Sequence, residues 1–220
     1  MENIATIQER LTELKESNFS QLPEDIRKIM VDDFEKLSTS GLVEAAPKVG
    51  DKIIDFTLPN HLGEESKLSS LLENGPVVIT FYRGGWCPYC NIELRAYQDI
   101  LPEIKAAGAT LVAITPELPD ESLTTSERHN LEFEVLTDAN SNYAKELGIV
   151  YTVEGEILEV YKEFGIDLEK HNGEGQFEIP LATTFIINVD GTIIYSFIDA
   201  DYTKRAEPTE ILKELQSLKK

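Results

Sequence analysis

From about residue 51 to its end, the sequence alternates strand-like apolar runs with helical segments, and this alternation is its strongest constraint on the fold. The runs PVVITFYR and ATLVAITPE are continuously apolar and rich in β-branched residues, which is typical of strands buried on both faces. In TTFIINVDGTIIYSFI, Asp190 and Gly191 separate two apolar runs and predict a β-hairpin. The pattern predicts an α/β fold with a central mixed β-sheet flanked by helices.

The helical segments are recognised by their spacing and by their end residues. CNIELRAYQDILPEIKAAGA predicts one helix that is kinked at Pro102. NSNYAKELGI predicts a helix capped by its own Asn or Ser. EPTEILKELQSL predicts a closing helix with Pro208 near its first turn.

Two segments lie outside the alternation. Residues 1–45 predict an N-terminal helical extension, with a second helix after Pro23, on a main domain of residues 46–220. Helical spacing in the first part of this extension is shown by Ile4, Ile7, Leu11 and Leu14. Residues 151–178 are acidic and contain four glycines, and we expect them to form an insertion over one face of the domain.

The charge and hydropathy of the chain exclude several classes of partner. The formal net charge is -20, which repels phosphate backbones and anionic membrane surfaces, so we expect neither nucleic-acid nor membrane binding. No apolar run approaches the roughly 20 residues of a membrane span. The N-terminus carries charges of both signs and lacks the apolar stretch of a secretory signal. A cytoplasmic location is therefore expected.

The only two cysteines, Cys87 and Cys90, lie three positions apart where a predicted strand ends and a helix begins. The first turn of a helix offers free N–H groups and the positive end of the dipole, so it should lower a thiol pKa below the usual value of about 8.5. Sulfurs three apart on one turn are also close enough to form a disulfide. We therefore predict a redox couple rather than two inert buried thiols.

Other residues of this stretch carry weaker predictions. Arg83 either adds positive charge beside the thiols or lies in solvent. Pro88 suits an early helical position. Trp86 and Tyr89 either frame the sulfurs or simply pack at the edge of the sheet.

A metal site is not expected from the sequence. Two sulfurs are too few for a structural zinc site, and the three histidines are dispersed along the chain at His61, His129 and His171. His129, on a predicted helix, is either a proton shuttle or a surface or capping residue.

These stretches resemble the AhpC/TSA (alkyl hydroperoxide reductase/thiol-specific antioxidant) branch of the thioredoxin-like superfamily, that is, the peroxiredoxins and their peroxiredoxin-like relatives. KVGDKIIDFTLPNHLG is similar to the opening segment of that branch, FYRGGWCPYC to its active-site loop, and TTFIINVDGTI to its late hairpin. The resemblance covers about residues 49–218 and implies a thioredoxin-like fold. The helical arm and DADYTKRAEPTEIL are closest to the peroxiredoxin-like subgroup.

That last stretch contains a cluster similar to the subgroup, formed by Asp199, Asp201, Tyr202 and Arg205. Its alternative interpretation is a turn with surface ion pairs.

The resemblance leaves open which sulfur attacks the substrate. Aligned on the Phe-Tyr pair, Cys90 falls at the peroxide-attacking position of peroxiredoxins, Cys87 replaces their Thr or Ser, and Arg83 replaces their Pro. Ala182 stands where peroxiredoxins have an Arg. Similarity to thioredoxins instead makes Cys87 the attacking thiol and Cys90 the resolving one. Both alternatives end in a disulfide between Cys87 and Cys90.

The resemblance implies a thiol-dependent antioxidant oxidoreductase that reduces peroxides through Cys87 and Cys90. It also implies a reductant of thioredoxin or glutathione type and no cofactor, and it leaves a homodimer possible. Thr183 or Thr184 is expected to face the sulfurs, because this segment passes the active-site loop in the family. One alternative function is a protein disulfide reductase with little peroxidase activity, and another is a redox-sensing interaction protein.

Overall fold

The computed structural model describes residues 6–218, so Ile4 lies outside the described residues. The strands are β1 (Thr57–Pro59), β2 (Glu65–Lys67), β3 (Val77–Phe81), β4 (Thr110–Thr115), β5 (Glu134–Thr137), β6 (Val150–Thr152), β7 (Glu178–Pro180), β8 (Ala182–Ile187) and β9 (Ile193–Asp199). The helices are α1 (Ile7–Gln21), α2 (Glu24–Ser38), α3 (Leu42–Ala45), α4 (Leu68–Leu72), α5 (Pro88–Asp99), α6 (Leu101–Ala106), α7 (Pro119–His129), α8 (Asn142–Glu146), α9 (Glu156–Glu163), α10 (Leu168–Asn172) and α11 (Pro208–Ser217).

Five strands form the central sheet in the order β5-β4-β3-β8-β9. The pairs β3–β4 and β4–β5 are parallel, whereas β8 runs antiparallel to both β3 and β9. All five residues of β3 are buried, as its continuous apolar run predicts. The mixed sheet and the hairpin of β8 and β9 around Asp190 and Gly191 are thus confirmed.

The sheet has an apolar core on each face, because successive strand residues point to opposite sides. Val78 belongs to the core that also contains Leu94 of α5 and Ile211 of α11. Val77 belongs to the opposite core, with Leu68 of α4. Flanking helices therefore cover both faces, as the sequence predicts for an α/β fold.

Two details of the predicted helices are wrong. The long helix predicted around Pro102 is divided into α5 and α6, because Ile100 leaves helical geometry and Pro102 instead occupies the first turn of α6. The expected Asn or Ser cap of α8 is absent: Ser141 makes no side-chain cap bond. Asp138 replaces it, and its carboxylate accepts bonds of 2.9 Å from the N–H groups of Tyr143 and Ala144.

The N-terminal helices pack on the domain. Ile7 and Leu11 of α1 are buried in the core that contains α5. The carboxylate of Glu207 accepts hydrogen bonds from the first N–H groups of α1, at Ile7 (3.3 Å) and Gln8 (3.0 Å), and so satisfies donors that a helix end leaves free. The predicted second helix after Pro23 is confirmed as α2.

The acidic segment 151–178 contains regular structure. Its strand β6 pairs antiparallel with β7, and α9 and α10 lie between them. Val160 of α9 shares a small apolar core with Ile26 of α2. The segment and the N-terminal arm therefore pack against each other.

Candidate active site

The two cysteines lie where β3 gives way to α5. Cys87 occupies the N-cap position of α5, although its side chain makes no capping hydrogen bond, and Cys90 lies in the first turn of that helix. The loop before them is tightly packed: a Cβ atom on Gly85 would stand 1.9 Å from Thr125 Oγ1, and one on Gly84 would stand 2.2 Å from Trp86 Nε1. The strand-to-helix placement predicted for the two thiols is confirmed.

Both thiols are free and buried, but their surroundings differ. Cys87 lines a cavity of about 470 Å³, whereas Cys90 is not part of its wall. Burial favours the neutral form of Cys87, but a hydrogen bond from Cys90 and the charges of Arg83 and Arg205 outweigh it and lower the Cys87 pKa to about 6. Burial and the neighbouring Cys87 raise the pKa of Cys90. The first proton leaves the pair near pH 6, and we assign it to Cys87 because that sulfur accepts the bond.

Two buried guanidinium groups approach the sulfurs. Arg83 Nη1 lies 4.0 Å from Cys87 Sγ, and Arg205 Nη2 lies 3.2 Å from Cys90 Sγ. Both arginines are only 3% exposed, so little water screens their charges. The interpretation of Arg83 as a solvated surface residue is wrong.

Arg83 lies within a cage of aromatic rings. Its guanidinium carbon is 4.1 Å from the ring centroid of Tyr202, 4.9 Å from that of Trp86 and 5.5 Å from that of Tyr161. It also donates a hydrogen bond to the Tyr161 hydroxyl. Tyr89 reaches the same cage through its edge-on contact with Tyr202. The cage holds the positive charge beside Cys87 by cation–π contacts.

Arg205 is held by a buried ion pair. Its Nε donates to Glu93 Oε2 over 2.6 Å, and Thr80 donates to the other oxygen of this carboxylate over 3.3 Å. Burial raises the pKa of Glu93 to about 7, although the charge of Arg205 acts in the opposite direction. The surface-turn interpretation is therefore wrong for Arg205, whereas Asp199 and Asp201 do form ion pairs with the partly exposed Lys204 and Lys15.

Glu93 was missed by the sequence analysis. It lies three residues after Cys90, one helical turn further along α5, and this spacing was the available signal. A charged residue on the buried face of a helix implies a buried partner. The identity of that partner depends on the fold, because Arg205 is 112 residues away in the sequence.

The two threonines of β8 lie close to this network without bonding to a sulfur. Thr184 Oγ1 lies 3.2 Å from Thr80 Oγ1 and 3.1 Å from the Tyr97 hydroxyl. Thr183 is buried, and within residues 6–218 its hydroxyl has no hydrogen-bond partner. Thr184 thus connects to Glu93 through Thr80, and a direct role of either threonine at the sulfurs stays a prediction.

The cavity beside Cys87 is formed by three parts of the chain. The N-terminal arm contributes Asn18, Phe19, Gln21, Leu22 and Met30; the active-site region contributes Arg83, Trp86, Cys87, Pro88, Tyr89 and Tyr202; and the acidic segment contributes Tyr161, Phe164 and Ile166. Most of these side chains are apolar or aromatic. The additions to the sheet domain therefore surround the side of Cys87 that lines the cavity with an apolar wall.

His129 is remote from these groups. It is the last residue of α7, and the charges that act on it besides burial are those of Arg95 and Arg128, which lower its pKa. No contact between His129 and a thiol is found in the described part of the chain. His129 is half-buried, and both of its ring nitrogens lack a hydrogen-bond partner in residues 6–218, so neither its surface interpretation nor its role as a proton shuttle is borne out.

Comparison with known proteins identifies the family. The profile described as the AhpC/TSA family matches residues 49–196. The chain belongs to this family. It is 25% identical over 152 residues to peroxiredoxin Bcp of Escherichia coli (strain K12), an alignment that covers 69% of this chain and 86% of the relative.

Solved structures show the same fold. Peroxidoxin BcpB from Mycobacterium tuberculosis superimposes with a TM-score of 0.61 at 23% identity, over 78% of this chain and 97% of that one. A peroxiredoxin-like protein from Aquifex aeolicus gives a TM-score of 0.62 at 17% identity, over 79% and 88% of the two chains. The fold is thioredoxin-like, and family membership makes the chain a thiol oxidoreductase of the peroxiredoxin type.

The described part of the chain has no helix with the length and apolarity that crossing a bilayer requires. The family profile begins after α3, so α1 and α2 lie outside the matched residues.

Proposed function

We propose that this protein reduces hydroperoxides through a dithiol couple of Cys87 and Cys90, and that Cys87 is the attacking sulfur. The observation that carries the proposal is the position of Cys87: it stands at the N-cap position of α5, lines the cavity and lies beside Arg83. A thiolate is the nucleophilic form of cysteine, and a pKa of about 6 makes Cys87 mostly thiolate at pH 7.

The reaction has two covalent steps. The Cys87 thiolate attacks the terminal oxygen of the hydroperoxide, so that an S–O bond forms, the O–O bond breaks, and the alkoxide leaves and takes up a proton from solvent as the alcohol. Cys87 is then a sulfenic acid. The Cys90 thiol attacks its sulfur, the S–O bond breaks, water leaves and the disulfide forms. The peroxide has gained two electrons, and the two sulfurs have lost them.

An external dithiol or two monothiols must return these electrons. We propose a reductant of thioredoxin or glutathione type, which attacks the disulfide and forms a mixed disulfide on the way. Attack at Cys87 is favoured because this sulfur faces the cavity, whereas Cys90 is enclosed. The cavity is thus the entry route for both peroxide and reductant.

Family alignment supports the opposite order of the sulfurs. The resemblance of the loop, counted from its Phe-Tyr pair, implies that Cys90 holds the peroxide-attacking position, and Arg205 lies only 3.2 Å from Cys90 Sγ. We favour Cys87 because it lines the cavity and its pKa is lowered, whereas Cys90 is not part of the cavity wall and its pKa is raised by burial and by the neighbouring Cys87. The two orders predict different behaviour of the single-cysteine variants.

The test is peroxide treatment of Cys87→Ser and Cys90→Ser, with intact-mass measurement of the product. If Cys87 attacks, Cys90→Ser gains one oxygen rapidly and Cys87→Ser does not. Trapping with dimedone, which reacts with a sulfenic acid and not with methionine sulfoxide, separates cysteine oxidation from oxidation of the two methionines, and because the chain has no other cysteine each trapped adduct maps to one sulfur. His129→Ala, remote from the sulfurs, is the matched control and should behave as the wild type. Rapid peroxide turnover by both serine variants would overturn the dithiol proposal.

A protein disulfide reductase is the second candidate, supported by the order in which the cavity presents the sulfurs. Cys87, the first of the pair, lines the cavity and precedes Pro88, as in thioredoxin-type chemistry. Insulin reduction decides between the candidates: fast cleavage of insulin disulfides, together with negligible peroxide consumption, would select the reductase.

We further propose that residues 1–45 are an extension of the domain formed by residues 46–220, and that segment 151–178 is an insertion in that domain. Support comes from the cavity, to which both additions contribute side chains. A homodimer and a cytoplasmic location stay predictions from the sequence.

A further inference from the structure

A second cluster of ionisable side chains lies next to the active-site loop. Glu117 is in the loop after β4, Glu121 is in the first turn of α7, and His171 is in α10. One nitrogen or oxygen atom from each lies within 4.8 Å of the others. His171 Nδ1 is 3.5 Å from Glu117 Oε1 and 3.0 Å from Glu121 Oε2. Three separate elements thus direct potential ligands to one point.

Two buried atoms of this cluster lack the partner that they need. Glu117 is only 1% exposed, and its Oε2 makes no hydrogen bond anywhere in residues 6–218. His171 Nδ1 is also buried, and despite its short approach to Glu121 it makes no hydrogen bond within the same range. Burying a carboxylate oxygen without a partner is costly, and such atoms are rare in folded proteins. A missing ligand explains both atoms at once.

We propose that Glu117, Glu121 and His171 bind a divalent first-row transition-metal cation. Two carboxylates and an imidazole form the mixed oxygen and nitrogen donor set that these cations accept, and water completes the coordination. Their charge also fits, because a divalent cation balances both carboxylates. A protonated His171 would balance only one. Arg128 is the cationic side chain whose charge reaches Glu117.

The site joins the acidic segment to the active-site loop. His171 belongs to α10 of that segment, and its ring centroid lies 6.5 Å from the ring of Trp86. On the other side, a Cβ atom on Gly84 would stand 2.9 Å from Glu117 Oε1, so this carboxylate packs directly on the loop. A bound cation would therefore clamp α10 to the loop that carries the thiols.

Trp86 provides the readout, because it is the only tryptophan in the chain. Mn²⁺ is the probe: it is paramagnetic and quenches a nearby indole, and it prefers oxygen and nitrogen to the sulfurs of Cys87 and Cys90. We expect saturable quenching with one Mn²⁺ per chain. Glu121→Gln and His171→Ala should each weaken Mn²⁺ binding at least about tenfold.

Matched controls separate this site from the general negative charge of the protein. Glu127→Gln removes an exposed carboxylate from the same helix, and His129→Ala removes a histidine at its end. Both should bind Mn²⁺ as the wild type does. Quenching that does not saturate, or that falls equally in Glu127→Gln and Glu121→Gln, would overturn the proposal.

Thermal unfolding provides an independent measurement. At a hundredfold excess of Mn²⁺ over its Kd, the Tm of the wild type should rise by roughly 5 °C, and that of Glu121→Gln should not. The side chains of Glu121 and His171 are 29% and 15% exposed, so both variants should fold, which circular dichroism checks. If the variants lose stability without metal, and Mn²⁺ stabilises none of the proteins, then His171 is only an ion-pair partner and the proposal is wrong.

Discussion

At the residue scale, Cys87 and Cys90 show how position separates two chemically identical thiols. Cys87 accepts a hydrogen bond from Cys90 and lies on the cavity wall, while Cys90 is enclosed. Burial disfavours ionisation of both, and the charges of Arg83 and Arg205 oppose it. The pair therefore ionises once near pH 6, at the sulfur that lines the cavity.

This difference predicts the pH dependence of Cys87 alkylation. With a pKa of about 6, the thiolate fraction of Cys87 rises about tenfold from pH 5 to pH 7 and then levels off. The thiolate fraction of an ordinary thiol, by contrast, is still rising at about pH 8.5. The measurement is the rate of iodoacetamide labelling, followed by mass spectrometry. In Cys90→Ala the midpoint should move upward, because the S–H donor is lost. A wild-type midpoint above pH 8 would contradict the assignment.

The buried pair of Glu93 and Arg205 predicts a large effect on stability. Arg205→Met leaves a buried carboxylate without its counter-ion, and we expect a loss of about 3–5 kcal/mol in the free energy of unfolding. Because protonation relieves an unpaired Glu93, the deficit should grow as the pH rises from 5 to 8. Urea unfolding at several pH values measures it.

The double variant Glu93→Gln/Arg205→Met is the matched comparison, since it removes both charges together. It should be more stable than Arg205→Met alone at pH 8. If the single variant is as stable as the wild type at every pH, the ion pair does not contribute as described.

At the scale of elements, α1 supports the helix that carries the thiols. Leu11 has no exposed surface and lies in the same core as Leu94 of α5, and Glu207 fixes the start of α1. The arm is thus anchored at its beginning by hydrogen bonds and along one face by apolar contacts. These contacts hold its far end, at Phe19 and Leu22, on the cavity.

Leu11→Ala should therefore destabilise the whole protein. Loss of a fully buried leucine costs about 2–5 kcal/mol, because a cavity remains where the side chain was. Val31→Ala, on α2, is the control: Val31 is 41% exposed, and its truncation should change the free energy of unfolding by less than about 0.5 kcal/mol. Equal effects of the two changes in urea unfolding would show that α1 is not docked as described.

At the scale of the whole molecule, the cavity exists only because three distant parts of the chain meet. The sheet domain supplies Cys87, the arm supplies Leu22 and the acidic segment supplies Phe164. Access to the thiol is therefore controlled by the additions rather than by the sheet. The N-terminal arm should consequently slow the reaction of Cys87 with large molecules more than its reaction with small ones.

Leu22→Trp tests this by filling the cavity from the arm. Reaction with the bulky aromatic disulfide dithionitrobenzoate should slow by about tenfold, because entry then requires repacking that costs roughly 1–3 kcal/mol. Reaction with the small reagent methyl methanethiosulfonate should change little. Leu62→Trp, at a position that is 67% exposed, is the control and should affect neither rate. Equal slowing by both reagents would indicate a damaged site rather than a filled cavity.

The sequence by itself determined the sheet, most helices and the placement of the thiols. These features depend on local patterns: β-branched runs form β3 and β4, Asp190 and Gly191 make the turn between β8 and β9, and Cys87 precedes a helix start. Local patterns gave a wrong prediction for the cap of α8, where Asp138, and not the adjacent Ser or Asn, accepts hydrogen bonds from the first N–H groups of the helix.

Only the tertiary structure decided which charges meet. Glu93 is paired with Arg205 across 112 residues, and His171, one of three dispersed histidines, lies beside Glu117. Sequence spacing gives no signal for either pairing, because the two partners lie on elements that are far apart along the chain. Periodicity reports which face of a helix or strand is buried, whereas the partner of a buried charge is set by how the elements pack together.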